Sequence, residues 1–391
     1  MGTPADRLLL ALRAPAESAG RWDDVVELAL SHGVAPLLQE RLRAAGMRSR
    51  LPPALATALD REREATALAN LRKLGEFRRL AVDCARQRIP LIPLKGLHLA
   101  ELVYPDPSLR PMADLDVLVP RDRVADALRV LRAAGYGADI DADSVHALLP
   151  ERCNVGVAHE AHGTSIELHW ALDEKGGSGP GPLEEIWRDA RPGRLGDAET
   201  LLLPPHLLLL HVCTHLAYNH AFAFSLRAVC DIDAIVARHP ELDWSAFQRV
   251  ALAHRYRPGV RVCLDLARED LGTRIPALPG PAAPPEVMRD ARAQLATVAD
   301  LPEGLAHAPY LIEAVAKGTL VARARLVGSR IFLPREELAM RYGIASRSRW
   351  LGLWYVRRLV DLVRRYAFPA LALGRDDAAR YVRLREWLAR A

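Results

Sequence analysis

Apolar residues recur at spacings of three and four through the first 80 positions, which is the period of an amphipathic helix. The pattern predicts helices over residues 6–12, 22–32, 36–45 and 53–80. The apolar spacing of the last helix continues to Cys84, and Pro90 ends it because proline has no backbone N–H to donate. The first fifth of the sequence is therefore predicted to be helical.

The pattern changes after residue 88, where short apolar runs and period-two alternation replace the helical spacing. Strands are predicted over residues 89–94, 114–119, 155–159 and 164–170. Helices are predicted over residues 97–104 and 122–134, and turn-forming residues follow each of them. This alternation of short strands and helices predicts a mixed α/β domain.

Helical spacing returns beyond residue 200, over residues 205–217, 225–238, 244–254 and 259–271. The proline-rich stretch 275–285 is predicted to be a linker, and the run GGSGPGP at 176–182 a loop. The predicted regions are an N-terminal helical region (1–79), an α/β core (80–200), a helical domain (201–275) and an arginine-rich helical region (286–391).

Composition supports a large folded core, since half of the 391 residues are hydrophobic. The five cysteines are odd in number and none forms a CxxC pair, which argues against a disulfide framework and predicts a cytoplasmic protein. The most apolar stretch, 201–213, is shorter than the roughly 20 residues of a bilayer span, so no membrane partner is expected. No signal peptide is recognised at the N-terminus.

Asp114 and Asp116 are the first candidates for chemistry. They flank Leu115 on a predicted strand, and residues two apart on a strand point to the same face. Two carboxylates so placed can bind one magnesium ion or straddle two. The alternative is that they form a solvated strand edge or a helix cap. The other closely spaced aspartates, at 139–143 and 231–233, lie in a predicted loop and a predicted helix.

Glu167 and His169 alternate with Ile166, Leu168 and Trp170 on the predicted strand 164–170. If this strand pairs beside the first two, Glu167 can complete a three-carboxylate metal site. If it does not, Glu167 and His169 simply face water on a half-buried strand.

Lys95 and Gly96 stand where a strand passes into a helix, which is a favourable place for a phosphate group. Lysine is scarce in this arginine-rich chain, which makes Lys95 more noteworthy. Arg110 can clamp a β- or γ-phosphate through two parallel hydrogen bonds. The alternatives are that Lys95 pairs with Glu101 or a loop acid and that Arg110 caps a helix.

These motifs together resemble a known family. The series LKG, YPDPSLRPMADLDVLV, AAGY and IELHW, followed by LLLLHVCTHLAYNHAFAFSLRAVCDIDAIV, resembles the uncharacterised nucleotidyltransferase family of the DNA polymerase β-like superfamily. The resemblance covers about residues 25–275 and implies an α+β fold, with a small mixed sheet flanked by helices.

The resemblance implies Asp114 and Asp116 as metal ligands and places Glu167 where the superfamily has its third acid, usually aspartate. Lys95-Gly96 stands where better-known members have Gly-Ser. The two departures leave the triphosphate contacts open, as well as the role of Glu167 as ligand or base.

Several histidines lie in the apolar segment after residue 205. His211 and His215 are four residues apart and share a helix face, which can hold a transition metal, line the cleft opposite the sheet or make buried hydrogen bonds. Together with His169 and Asp231 they form a possible acceptor pocket.

The sequence therefore predicts a nucleotidyltransferase that uses two Mg²⁺ ions, with an NTP and an unknown hydroxyl-type acceptor as its partners. The alternatives are a non-catalytic nucleotide- or peptide-binding module and an RNA-binding protein. A net charge of +5 is modest for a nucleic-acid binder, and the evidence for RNA binding is the arginine-rich tail, from Arg323 to Arg365. The oligomeric state stays open.

Overall fold

A computed structural model gives the architecture. It describes residues 3–18, 21–137, 153–172, 182–223, 226–296, 351–362 and 375–390, together with residues 142, 145, 149, 335 and 338. The predicted loop 176–182 lies almost entirely outside these residues, as do Arg323, Arg325, Arg330, Arg347, Arg349, Arg364 and Arg365 of the tail.

The predicted N-terminal helices are confirmed. They are α1 (Pro4–Arg13), α2 (Trp22–Ser31), α3 (Ala35–Ala44) and α4 (Pro53–Arg86). Leu59 near the start of α4 packs in the core of the helical region, whereas Phe77 and Leu80 near its end pack under the sheet. The long helix α4 therefore contributes to both hydrophobic cores of the chain, and the predicted boundary at residues 79–80 lies within it.

A five-stranded mixed sheet follows, in the order β1-β2-β5-β4-β3. Its strands are β1 (Ile92–Pro93), β2 (Leu115–Leu118), β3 (Tyr136–Gly137), β4 (Asn154–His159) and β5 (Ser165–His169). β2 and β5 are parallel, and the other neighbours are antiparallel. The helices between the strands are α5 (Lys95–His98), which continues as a π-helical turn (Leu99–Val103), and α6 (Val124–Ala133).

The first two strands are shorter than predicted. Strand β1 keeps two residues of the predicted 89–94. Strand β2 begins at Leu115, which pairs with Ile166, so Asp114 lies in the bend that precedes the strand. The prediction that both aspartates belong to the strand was therefore wrong for Asp114.

The two faces of the sheet pack in different cores. Leu115, Val117 and Leu168 lie on the face that packs with α4 and α6. Ile92 and Leu118 lie on the other face and pack in the core of the helical regions. Because Asp116 alternates with Leu115 and Val117, its side chain lies on the same face as Ile92 and Leu118, which packs against the helical regions.

A hairpin adjoins β1 and was not predicted. It consists of β6 (Arg191–Leu195) and β7 (Ala198–Leu202), and the short helix α7 (Leu183–Asp189) precedes it. The backbone N–H of Leu201 and the hydroxyl of Thr200 both donate to the carbonyl oxygen of Leu91.

The predicted helices beyond residue 200 are confirmed. They are α8 (Pro205–Thr214), α9 (Leu226–Arg238), α10 (Trp244–Ala253) and α11 (Arg257–Leu266), and π-helical turns extend α8 (His215–Asn219) and α11 (Ala267–Leu271). Further along are α12 (Pro285–Ala296), α13 (Leu351–Leu362) and α14 (Arg375–Arg390). Across the part of the chain that the structure describes, no helix has the length and apolar character that crossing a membrane requires.

Candidate active site

Two carboxylates meet where the parallel strands β2 and β5 lie side by side. Asp116 is directly opposite Glu167 in the register of the two strands. The two side chains therefore lie on the same face of the sheet, the one covered by the helices. The condition set by the sequence pattern, that the strand of Glu167 pairs beside that of Asp116, is met.

Lys95 reaches this pair from the strand-to-helix turn. Its Nζ lies 2.9 Å from Oδ1 of Asp116, and both side chains are largely buried. Lys95 has a φ of +35°, a left-handed conformation that is uncommon for a residue with a Cβ. Such strain is found at sites where the surrounding structure dictates the geometry. The alternative of a Lys95–Glu101 pair is not what the structure shows.

His169 bridges the two carboxylates. Its Nε2 lies 3.0 Å from Oδ1 of Asp116 and 3.3 Å from Oε2 of Glu167. The amide of Asn154, on the neighbouring strand β4, donates to the same Glu167 oxygen at 3.2 Å. His169 is therefore buried and belongs to the carboxylate cluster itself, whereas Glu167 is partly exposed.

The charges of this cluster hold one another in the ionised state. Burial alone raises the pKa of Asp116, but Lys95 and His169 hold it well below its usual range. Burial likewise lowers the pKa of His169, yet its hydrogen bonds with Asp116 and Glu167 hold that pKa well above the usual value. Near neutral pH the cluster thus contains two carboxylates and two cations.

Asp114 brings a third carboxylate. Burial and the neighbouring charges of Asp116 and Glu167 raise the pKa of Asp114 to about 6, and Lys95 only partly offsets them. A carboxyl group in this environment gains when a further cation approaches.

A metal ion could be held by three of these side chains. Among the described residues, the ligand atoms of Asp116, Glu167 and His169 form the group of three that lie within 4.8 Å of one another. The sequence predicted Asp114, Asp116 and Glu167 as the ligands. The place of His169 in the group was missed, although its position on the Glu167 face of the strand was the signal.

Space remains beside Glu167. Gly156 is its register partner on β4, and a Cβ built on Gly156 would meet nothing within 4 Å among the described residues. Glycine inside a strand often marks a place that another group approaches closely.

Arg110 and Asp231 are partners of each other. Nε and Nη2 of Arg110 lie 3.2 and 2.9 Å from the two carboxylate oxygens of Asp231, and the hydroxyl of Tyr104 donates to Oδ1 at 2.9 Å. All three side chains are buried. Phosphate binding by Arg110 and an acceptor-pocket role for Asp231 stay predictions, and both would have to compete with this closed set of hydrogen bonds.

Gly96 joins the Arg110 pair to the carboxylate cluster. A Cβ at Gly96 would lie 2.7 Å from Nη1 of Arg110 and 3.0 Å from Cγ of Met112. Glycine is therefore required at this position by the close approach of the guanidinium. The guanidinium of Arg110 therefore packs against the turn that carries Lys95.

The helical half brings two histidines near the site. Burial and the positive charges of Lys95 and His169 lower the pKa of His211 to about 3. Burial and Lys95 also lower the pKa of His215 well below its usual value. Both imidazoles are therefore neutral and close enough to the carboxylate cluster to sense its charges.

The described residues form a helix-rich α+β architecture with a small mixed sheet, as the sequence predicted. Residues 18–272 match the model of a family described as uncharacterised nucleotidyltransferase, which is more than half of the chain. The chain belongs to this family, as its sequence motifs indicated.

The chain was also compared with curated proteins and with solved structures. No curated protein matches the chain. The crystal structure of an antigenic nucleotidyltransferase-like protein from Paracoccidioides brasiliensis is similar at 16% identity and a TM-score of 0.30, and the alignment covers 52% of this chain and 94% of that one. The family assignment does not depend on this likeness.

Proposed function

We propose that the protein is a Mg²⁺-dependent nucleotidyltransferase that moves a nucleoside monophosphate from an NTP to a hydroxyl-type acceptor and releases pyrophosphate. The observation that carries the proposal is the pairing of Asp116 with Glu167 on adjacent parallel strands, with Nζ of Lys95 at 2.9 Å from Asp116. Membership of the nucleotidyltransferase family supports the reaction class.

The donor set suits magnesium. Asp114, Asp116 and Glu167 offer carboxylate oxygens, which Mg²⁺ prefers, and three carboxylates beside the two cations Lys95 and His169 leave room for added positive charge. We propose these three acids as the ligands of two ions, with His169 kept as the hydrogen-bond partner of Asp116 and Glu167. Magnesium, when bound, would neutralise the triphosphate and stabilise the leaving pyrophosphate.

We assign the triphosphate to the turn at Lys95 and Gly96. The ammonium group of Lys95 and the backbone N–H of Gly96 can both contact phosphate oxygens. Arg110 contributes to triphosphate binding indirectly. Its guanidinium, which is hydrogen-bonded to Asp231, packs against Gly96 and fixes the position of the turn.

The proposed transfer is a substitution at the α-phosphorus of the NTP. The acceptor oxygen forms a bond to the α-phosphorus, the bond from that phosphorus to the bridging oxygen breaks, and pyrophosphate leaves. The acceptor proton passes to a carboxylate, for which Glu167 and Asp114 are the candidates. A pKa of about 6 suits Asp114 to proton transfer near neutral pH. His211 and His215 shape the acceptor side of the cleft.

The cysteines favour a location in the reducing cytoplasm. All five cysteines are buried as free thiols.

The test is Asp116→Asn with radiolabelled NTPs, Mg²⁺ and fractions of host lysate as the source of acceptor. We expect transfer to fall by roughly 10²–10³-fold, as when one electrostatic contact of a transition state is removed. Asp122→Asn, an exposed acid on the same domain, is the matched control. Transfer at the wild-type rate in Asp116→Asn excludes the proposed metal role.

A second measurement separates the catalytic function from a binding module. We expect NTPs to raise the melting temperature of the wild-type protein when Mg²⁺ is present, and not with EDTA. Protection that is independent of Mg²⁺, without pyrophosphate release on any fraction, would instead identify a non-catalytic nucleotide-binding protein.

A further inference from the structure

His211 is a buried imidazole whose hydrogen-bonding groups are unused. Its side chain lies on α8 and is 3% exposed. Neither Nδ1 nor Nε2 has a hydrogen-bond partner among the described residues. A buried polar group without a partner destabilises the folded state, so such a group in a native protein calls for a physical reason.

Two more imidazoles continue from His211. The ring centroids of His211 and His215 are 6.2 Å apart, and those of His215 and His220 are 4.4 Å apart. Nε2 of His215 lies 3.2 Å from Nε2 of His220. His215 and His220 are only partly buried, so the three rings run from the protein surface to the buried His211.

The backbone around these histidines is unusual. His215 opens the π-helical turn that ends α8, and such turns are frequent at functional sites. Ala221 and Phe222, which follow, both have left-handed backbone conformations, with φ of +46° and +62°. The chain thus departs from regular helix geometry at the place where the imidazoles lie together.

His211 and His215 lie within electrostatic range of the carboxylate cluster. Lys95, His169, Asp116 and His98 all act electrostatically on His211, and Lys95, Asp116, His220 and His211 on His215. Burial, together with these charges, lowers the pKa of both imidazoles and keeps the two rings neutral. A neutral imidazole has one donor and one acceptor, which is the complement of a hydroxyl group.

We infer that His211, His215 and His220 line a binding subsite for a neutral ligand with several hydroxyl groups, such as a sugar, that presents its hydroxyl to the carboxylate site. This rests on the proposed function and names the chemical class of the acceptor. An anionic acceptor fits less well, because the neutral rings of His211 and His215 offer it no positive charge. A transition metal fits less well too, because among the described residues no third metal-ligating side chain joins His215 and His220.

The first test reads the imidazoles directly. Protein labelled with ¹⁵N-histidine is titrated by NMR with D-glucose, with inorganic phosphate and with Zn²⁺, each in the presence and absence of Mg²⁺ and a non-hydrolysable NTP analogue. We expect D-glucose to shift both ring nitrogens of His211. His206, at the start of the same helix, is the internal control. Shifts of His211 with phosphate or Zn²⁺ but not with D-glucose would overturn the inference, as would no shift with any titrant.

A pair of variants supplies the second test. His211→Phe removes the unused polar groups, so we expect it to raise the stability of the free protein and to weaken D-glucose binding by roughly 3–10-fold, the equivalent of one lost hydrogen bond. His211→Gln keeps a donor and an acceptor and should bind D-glucose more tightly than His211→Phe. His206→Phe should change neither quantity. A loss of stability in His211→Phe with unchanged D-glucose binding would assign His211 a purely structural role.

The two proposals fail separately. Binding of the NTP analogue with Mg²⁺ depends on Asp116 and should be the same in His211→Phe as in the wild-type protein. If the wild-type protein does not bind the Mg²⁺-NTP analogue, the proposed function is lost. If it binds the analogue but not D-glucose, only the acceptor class is lost.

Discussion

Two ionic clusters lie beside Gly96, and they differ in how their charges balance. The inner cluster consists of Arg110, Asp231 and Tyr104, where both carboxylate oxygens accept hydrogen bonds and each charge has a partner. The site cluster consists of Asp114, Asp116 and Glu167 with Lys95 and His169, so three carboxylates face two cations.

The difference separates a structural cluster from a functional one. A closed pair has nothing left to offer a ligand. The unbalanced cluster has a carboxyl group, Asp114, whose pKa is raised by burial and by the charges of Asp116 and Glu167. An uncompensated charge of this kind destabilises the folded protein until a ligand neutralises it. Groups with perturbed pKa values are for this reason found most often at functional sites.

Breaking the inner cluster should have the largest effect on stability. Asp231→Asn leaves the buried Arg110 charge without its partner, and we expect unfolding to become easier by roughly 3–5 kcal/mol. Denaturant unfolding measures the change. Asp233→Asn, on the same helix but partly exposed and paired with Arg41 at 3.4 Å, should lose less than about 1 kcal/mol.

Removing the inner cluster as a whole should cost less than breaking it. The triple variant Arg110→Met/Asp231→Leu/Tyr104→Phe replaces the three mutually bonded groups at once, so neither the Arg110 charge nor the Tyr104 hydroxyl is left without Asp231. We expect it to recover most of the stability that Asp231→Asn loses. A triple variant as unstable as the single one would mean that the three groups hold the fold by more than their mutual pairing.

Relieving the site cluster should have the opposite sign. The pKa of Asp114 is about 6 in the folded protein against 3.8 for the free side chain, a difference of roughly two units. This group therefore favours the folded state below pH 3.8 and loses that contribution as the pH rises through about 6. Asp114→Asn, which cannot ionise, should stabilise the metal-free protein by at most about 3 kcal/mol at pH 7.5.

The pH dependence makes this expectation specific. The stability gain of Asp114→Asn should shrink to about 1 kcal/mol at pH 4.5, where Asp114 of the folded wild-type protein is mostly protonated. Unfolding curves in EDTA at both pH values measure it, with Asp122→Asn as the control that should change neither. A gain that is equal at the two pH values would show that the charge of Asp114 is not its cause.

The sequence was sufficient for most of the fold because apolar periodicity decides helices of ten or more residues, as in α1–α4 and α8–α11. It could not set the ends of β1 and β2, since a strand ends where its neighbour stops pairing. It also missed the hairpin of β6 and β7, whose alternation is weak because Arg191–Leu195 is mostly exposed.

For the site, alternation along β2 and β5 placed Asp116 and Glu167 correctly on one face. The partnership of Arg110 with Asp231 could not be found, because it joins residues 121 positions apart. Asn154 was within reach of the same alternation argument, since it shares the face of Gly156 and is the register partner of His169. What the sequence lacks, in each case, is the packing of one element on another.

A substitution at Gly96 should have the smallest effect of these variants. Gly96 lies between Lys95 of the site cluster and Arg110 of the inner cluster. Gly96→Ala places a Cβ 2.7 Å from Nη1 of Arg110, and the guanidinium cannot move away without losing Asp231. We expect a loss of roughly 1–3 kcal/mol from overpacking, measured by denaturant unfolding. Gly75→Ala is the matched control, because it lies within α4 with nothing within 4 Å of the added Cβ, and it should gain roughly 0.5–1 kcal/mol.

Gly96→Ala also tests whether a change at the inner cluster alters ligand binding at the site cluster. If Arg110 supports the turn that carries Lys95, Gly96→Ala should weaken Mg²⁺-NTP binding in addition to stability, whereas Asp233→Asn should leave that binding unchanged. A variant that loses stability but binds Mg²⁺-NTP normally would show that the inner cluster holds the fold without positioning the site. In that case a shift of the Arg110 guanidinium would displace the backbone of Gly96 without displacing Nζ of Lys95. The two clusters would then be adjacent in space but independent in function.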